Sequence, residues 1–312
     1  MKSVLCLGLT PALQRTMLFD KLEQDEVNRA RQVVESAAGK ALNTARALVT
    51  LGTPAQTAGF NGGQTGRAIS AFLKAYGVDS VLTPMRADTR ICSTLIDSAA
   101  GTVTELVEEA PEPGAAAVKR FVNENLKRTS GASMLVISGT LPPFVADDFY
   151  VGFVRSAASA GVPVVIDSQK AALITVLFER PLLAKLTVRE LATTLQEPMN
   201  SERQILRGMR DLMGMGAQNV FVTQGGKAAY LVTSKHAWRF TPPALARRVN
   251  PIGSGDCTTA GIVHALLGGK RLRDAVRHGL ACGSANVESL TPADLDLKRV
   301  ATLRRGVTCE AI

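Results

Sequence analysis

The chain has 312 residues, 46% of them hydrophobic and 20% charged, a balance that supports one large or two small globular domains with an ample core. Its formal net charge of +9 suits an anionic ligand, yet the basic residues are scattered and aromatics make up only 4%, so no nucleic-acid footprint is seen. Five cysteines, an odd number in a chain this long, read as reduced thiols and predict a cytoplasmic protein. The histidines His236, His264 and His278 lie far apart, and no cysteine or histidine pair has metal-ligand spacing.

The apolar run Val4–Leu9 opens the chain as a buried first strand. It is too short for a signal or membrane-spanning segment, so no membrane partner is expected. Further strand-like runs are Gln56–Phe60, Met134–Ser138, Val162–Asp167 and Val220–Thr223. Helical stretches fall between them: Ala41–Leu51, Thr65–Tyr76, Ala115–Leu126, Ala146–Ala160 and Ser201–Gly214. This alternation predicts an α/β fold with a mainly parallel sheet, helices on both faces, and ligands where strands end and loops begin. Two segments break the pattern. Leu18–Ser36 is polar and β-like, and Thr89–Val107 reads as a hairpin around Ser98–Gly101. Both would form a small separate sheet, although on pattern alone they are equally a pair of surface hairpins. With no repeat, linker or low-complexity tract, residues 1–312 read as a single domain.

Several stretches carry chemistry. Ala37-Ala38-Gly39-Lys40-Ala41-Leu42-Asn43 sets a lysine and an asparagine at a helix start, where a cation and helix-end amides can grip a phosphate. The alternative is an exposed lysine. Lys185-Leu186-Thr187-Val188-Arg189-Glu190 is compatible with a helix-cap threonine followed by a first-turn acid. Phe221-Val222-Thr223-Gln224-Gly225-Gly226-Lys227 is a strand entering a glycine turn, as a plain hairpin also would be. In Asn250-Pro251-Ile252-Gly253-Ser254-Gly255-Asp256, a side-chain-poor turn precedes the apolar run Cys257–Leu267, which reads as a buried helix stopped by Gly268-Gly269. The free amides at such a helix start attract an anion. Asp256 is then either a helix cap or a base that takes a proton from a hydroxyl while the amides hold the phosphoryl group it attacks.

Asn250–Gly261 resembles the second signature of the PfkB (ribokinase-like) carbohydrate kinases, and Gly39-Lys40-Ala41 is similar to the first, in the form of the branch acting on sugar phosphates (1-phosphofructokinase and tagatose-6-phosphate kinase). The resemblance spans nearly the whole chain. It implies a three-layer ribokinase-like sandwich whose small β-sheet, about 13–36 and 89–108, is a lid over the sugar and can supply a homodimer interface. It implies Asp256 as catalytic base and Gly253, Ser254 and Gly255 as anion hole. Gln14, Gly39, Lys40, Asn43, Arg90 and Ser138 would bind the substrate, with Lys40 and Arg90 on the phosphate it already carries. Lys185, Thr187, Glu190, Thr223, Gly225, Gly226 and Asn286 would serve ATP, Glu190 also reaching Mg²⁺ through water. No Walker A sequence is present. The implied activity is ATP-dependent phosphorylation of a phosphorylated ketose: fructose 1-phosphate, tagatose 6-phosphate or fructose 6-phosphate. Departures from the pattern at Gln14, Ala41, Cys92 and Thr187 leave two rivals, a kinase for another sugar or nucleoside and a non-catalytic sugar-phosphate sensor. Asp256 speaks against the sensor, because binding alone gains nothing from a carboxylate beside a phosphate.

Overall fold

A computed structural model describes residues 2–312. In chain order the elements are β1 (Val4–Leu7), β2 (Ala12–Phe19), β3 (Gln32–Ala38), α1 (Lys40–Thr50), β4 (Ala55–Asn61), α2 (Gly63–Ala75), β5 (Asp79–Pro84), β6 (Ile91–Asp97), β7 (Thr102–Val107), α3 (Ala115–Thr129), β8 (Met134–Ser138) and α4 (Val151–Ser159). They continue as β9 (Val164–Asp167), α5 (Ala171–Leu177), β10 (Leu183–Thr187), α6 (Val188–Leu195), α7 (Glu202–Gly214), β11 (Asn219–Thr223), β12 (Ala229–Thr233), β13 (Ala237–Thr241), α8 (Ser254–Leu267), α9 (Leu272–Val287), α10 (Leu297–Gly306) and β14 (Thr308–Ala311).

The main sheet has ten strands in the order β14-β13-β12-β11-β10-β9-β8-β1-β4-β5. From β11 to β5 every pair is parallel, and β12, β13 and β14 extend the sheet antiparallel. The central strands are apolar on both faces because helices cover both. Alternate side chains divide accordingly: Val4, Cys6 and Val136 pack with α1, α2, α8, α9 and α10, whereas Leu5, Leu7, Leu135 and Ile137 pack with α3 to α7. The result is a three-layer α/β sandwich.

A second sheet, β3-β2-β6-β7, stands apart from the first. It corrects the boundaries read from sequence. Its first strand begins at Ala12, and residues 20–31 form a loop instead of continuing the β stretch from Leu18 to Ser36. The predicted helix from Ala146 likewise starts only at Val151, after a run of turns. In the register of β2 with β3 and β6, Gln14 lies opposite Ser36 and Thr16 opposite Thr94, so these side chains share one face. Leu18 and Ile96 continue that face and line the main cavity, which shows that it looks into the cleft. The parallel strands direct their C-terminal ends toward this sheet, and the candidate site lies in the cleft between.

Candidate active site

Gly253 caps α8 in the left-handed conformation (φ +82°), with Pro292 and Ala293 packed where a side chain would project, so the tight entry to the helix is a glycine requirement. The amides of Ser254 and Cys257 are bonded to Pro251 and Gly253, while those of Gly255 and Asp256 have no acceptor among the described residues. The helix start therefore offers unpaired donors at the positive end of its dipole. Asp256 sits in this first turn, 6% exposed, and accepts a 2.8 Å hydrogen bond from the Asn43 amide. Burial, reinforced by the nearby Asp167 carboxylate, pushes its carboxyl from an ordinary value of 3.8 up to about 6, against the pull of Lys40, Asn43 and Lys185. Near neutral pH such a group is mostly ionised and still basic enough to take a proton.

Beside it lies a charge cluster whose centre, Asp167, has no assigned role in the sequence reading. This carboxylate, at the C-terminal end of β9, is fully buried and accepts from Lys185 Nζ (2.7 Å), Thr259 Oγ1 (2.8 Å) and Lys40 Nζ (3.3 Å). Burial works to raise its pKa, but Lys185 and Lys40 outweigh that and hold it at about 2. The available sequence signal was an acid ending a strand that is apolar on both faces. Lys40 also donates to Glu190 Oε1 at 3.1 Å, and its side chain stays about a third exposed (35%). Burial alone would lower the Lys40 pKa, but Asp167, Glu190 and Asp256 together raise it, so the ammonium is firmly charged.

Other predicted residues take distinct places. Thr187 and Glu190 form a capping box at the start of α6, with Glu190 Oε2 accepting from Thr187 N at 2.7 Å and Thr187 Oγ1 from Glu190 N at 3.1 Å. Lys185 is 2% exposed and lies beneath Gly255, where a Cβ would come within 3.0 Å of its Nζ; it supports the helix start from below. Asn286 does not reach the cavity wall. It is buried, donating to Ile252 O and accepting from Ala293 N, so it ties down the loop before α8. Gln14 turns its amide onto Thr94 Oγ1 (2.8 Å) within the small sheet. Arg90 ties the linker before β2 to the residue after β7 by donating to Thr10 O and Glu108 O, each at 3.1 Å, and its Nε is buried without a partner among the described residues.

Two cavities flank these groups. One of about 930 Å³ is lined by Thr223, Gly225, Gly226, Ser254 and Gly255 from the core and by Leu18, Ile96 and Val103 from the small sheet. The other, about 10 Å³, is bounded by Gly8, Thr10, Gly39, Lys40, Ala41 and Ser138. Around the cleft, buried oxygens of Asn43 (Oδ1), Ser138 (Oγ), Thr16 (Oγ1) and Ser36 (Oγ) have no hydrogen-bond partner among the described residues. Such groups are costly unless something polar satisfies them.

A family profile described as pfkB family carbohydrate kinase matches residues 1–297. The chain belongs to the pfkB family. It is thus a carbohydrate kinase by family. Similar solved structures include a Staphylococcus aureus protein provisionally assigned as a phosphofructokinase, 26% identical with a TM-score of 0.78 over 99% of both chains. A possible 1-phosphofructokinase from Thermotoga maritima is 23% identical, with a TM-score of 0.91 and 99% of each chain covered. Phosphofructokinase-2 from Escherichia coli in complex with fructose-6-phosphate is 24% identical, with a TM-score of 0.87 over 98% of this chain and 99% of that one. No helix among the described residues is long and apolar enough to cross a membrane.

Proposed function

We propose that this pfkB-family kinase transfers the terminal phosphoryl group of ATP to a hydroxyl of a phosphorylated ketose, with Asp256 as the base. One observation carries the reading: a buried carboxylate with its pKa raised to about 6 stands in the same helical turn as two unpaired backbone amides. The carboxylate takes the hydroxyl proton, and the amides of Gly255 and Asp256 meet the negative charge on the migrating group. ATP occupies the 930 Å³ cavity, whose wall includes Ser254 and Gly255. The sugar lies under the small sheet, where the unpaired oxygens of Asn43, Ser138, Thr16 and Ser36 supply acceptors and rotatable hydroxyls for a polyol.

A phosphorylated substrate is favoured over a free sugar by two cations at the edge of the small cavity. Lys40 lines it directly, and Arg90 holds the Thr10 carbonyl beside it while its Nε lacks an acceptor. Both suit a phosphate. The cavity's 10 Å³ holds about one water, so the small sheet must lift to admit a sugar and settle again before chemistry.

Mg²⁺ fits this site only through water. Both Glu190 oxygens already accept hydrogen bonds, both Asp167 oxygens are paired with lysines or Thr259, and no cluster of three or more acidic, histidine or cysteine ligands is found among the described residues. An ion that keeps most of its hydration and is carried by nucleotide phosphates is compatible with that, Glu190 accepting from one of its waters. When bound it would neutralise phosphate charge. Lys40 and Lys185 hold the protein's own carboxylates in place.

The test is an ADP-release screen over ketose phosphates, aldose phosphates and the corresponding free sugars. Turnover confined to ketose phosphates is expected. Turnover of free sugars at equal kcat/KM would refute the phosphosugar assignment, and binding without any turnover would favour a sensor.

A further inference from the structure

In the turn between β11 and β12 the two glycines have different reasons to be there. Gly225 adopts a left-handed conformation (φ +57°), which favours glycine for its backbone alone. Gly226 is not in the left-handed region. Its bare Cα leaves room instead, because a Cβ there would come within 2.9 Å of a terminal nitrogen of Arg248 and 3.7 Å of its Cζ. The guanidinium thus rests on the bare backbone of the glycine turn, on the wall of the large cavity.

Arg248 differs from the other arginines on that wall. Arg31 pairs with Asp20 at 2.9 Å, and Arg247 donates to Glu288 O at 3.3 Å. Arg248 makes no side-chain hydrogen bond or ion pair among the described residues, although it precedes by only a few residues the turn that ends in Asp256. The cavity offers it no acid either. Among the described residues Asp97 is the one carboxylate on the wall, and its oxygens accept from the amides of Leu22, Ala99 and Ala100. A charged fork with five donors and no acceptor faces a cavity that also exposes the start of α8.

We propose that Arg248 grips the phosphate chain of the bound nucleotide, reaching it from its seat on Gly226, and that it sets the preference for di- and triphosphates over the nucleoside. The proposal rests on the kinase reading above and adds to it a residue outside both sequence signatures. A guanidinium suits a polyphosphate because it offers two parallel N–H groups to neighbouring oxygens. A phosphate chain lying along the cavity would meet Arg248 and the unpaired amides of α8 together.

The experiment is calorimetric titration of the full chain, wild type, Arg248→Ala and Arg248→Lys, with ATP, ADP and adenosine. Arg248→Ala should weaken ATP and ADP by about 10- to 100-fold, the loss expected for one charge-assisted contact, and leave adenosine unchanged. Arg248→Lys should recover part of the loss. Arg248 is exposed, so the thermal midpoint should not move, and the lysine variant guards against a folding artefact. Unchanged ATP affinity in Arg248→Ala, with wild type binding ATP, would overturn this assignment and leave the kinase reading intact. Equal losses for adenosine and ATP would also overturn it, because Arg248 would then be packing on the base. A wild type that binds no nucleotide would overturn both.

Discussion

Asp256→Asn is expected to stop turnover and make the fold more stable, and the second effect can be worked from the geometry. Burial and the neighbouring Asp167 raise the Asp256 carboxyl from 3.8 to about 6, so ionising it costs more in the folded protein than in the unfolded chain. At 1.36 kcal/mol per pH unit that difference is about 3 kcal/mol. The sign follows from the raised value. Below about pH 4 the group is protonated in both states and exacts no penalty; the penalty grows between pH 4 and 6 and is complete above that. An asparagine keeps the shape and loses the charge. Asn43 can still donate to it, and the unpaired Asn43 oxygen can accept from the new amide. Urea unfolding near pH 8 should show the variant more stable by about 1–3 kcal/mol, with the gain disappearing near pH 4. A variant less stable than wild type near pH 8, or a gain that does not depend on pH, would refute the reasoning.

The acid limb of kcat should fall near pH 6, where Asp256 becomes protonated. Asn43→Ala removes a hydrogen bond that favours the carboxylate, so the same limb should move up by about one unit; a pH–rate profile with the limb unmoved would remove Asn43 from this role. Lys40→Ala should raise KM for the phosphosugar about 10- to 100-fold and change KM for an unphosphorylated analogue far less, measured by ADP release. Equal losses would mean that Lys40 serves only to hold Asp167 and Glu190.

Fold class was legible because hydrophobic period and strand–helix alternation depend on local sequence, and buried parallel strands are continuous apolar runs, as in Val4–Leu7 and the first four residues of Met134–Ser138. The small sheet was legible as a break in that alternation. The hairpin of β6 and β7 around Ser98–Gly101 was read correctly, but the bounds of β2 and β3 were not, because a strand carrying Gln14 and Thr16 on its buried face looks polar. At the site, a glycine turn ahead of an apolar helix left Asp256 as either a cap or a base, and it was the resemblance to a family signature that implied the base. The pairings were hidden, since Asp167 lies 127 residues from Lys40 in sequence and only the fold brings them together. Thr187 and Glu190 show the converse: the same spacing suited both a cap and a nucleotide site, and the two residues form the capping box. Asn286 was assigned to the nucleotide by the family resemblance alone; in the structure its amide is taken up by Ile252 and Ala293.

The central claim is that Asp256 takes the proton from the hydroxyl being phosphorylated. It is tested most directly by following bisphosphate formation from ATP and a ketose phosphate with wild type and Asp256→Asn, each shown to bind ATP. Product from the wild type, with a loss of at least about 1,000-fold in kcat for the folded, ATP-binding variant, is the predicted result, more than a lone hydrogen bond supplies. Turnover by Asp256→Asn within a few-fold of wild type would contradict it.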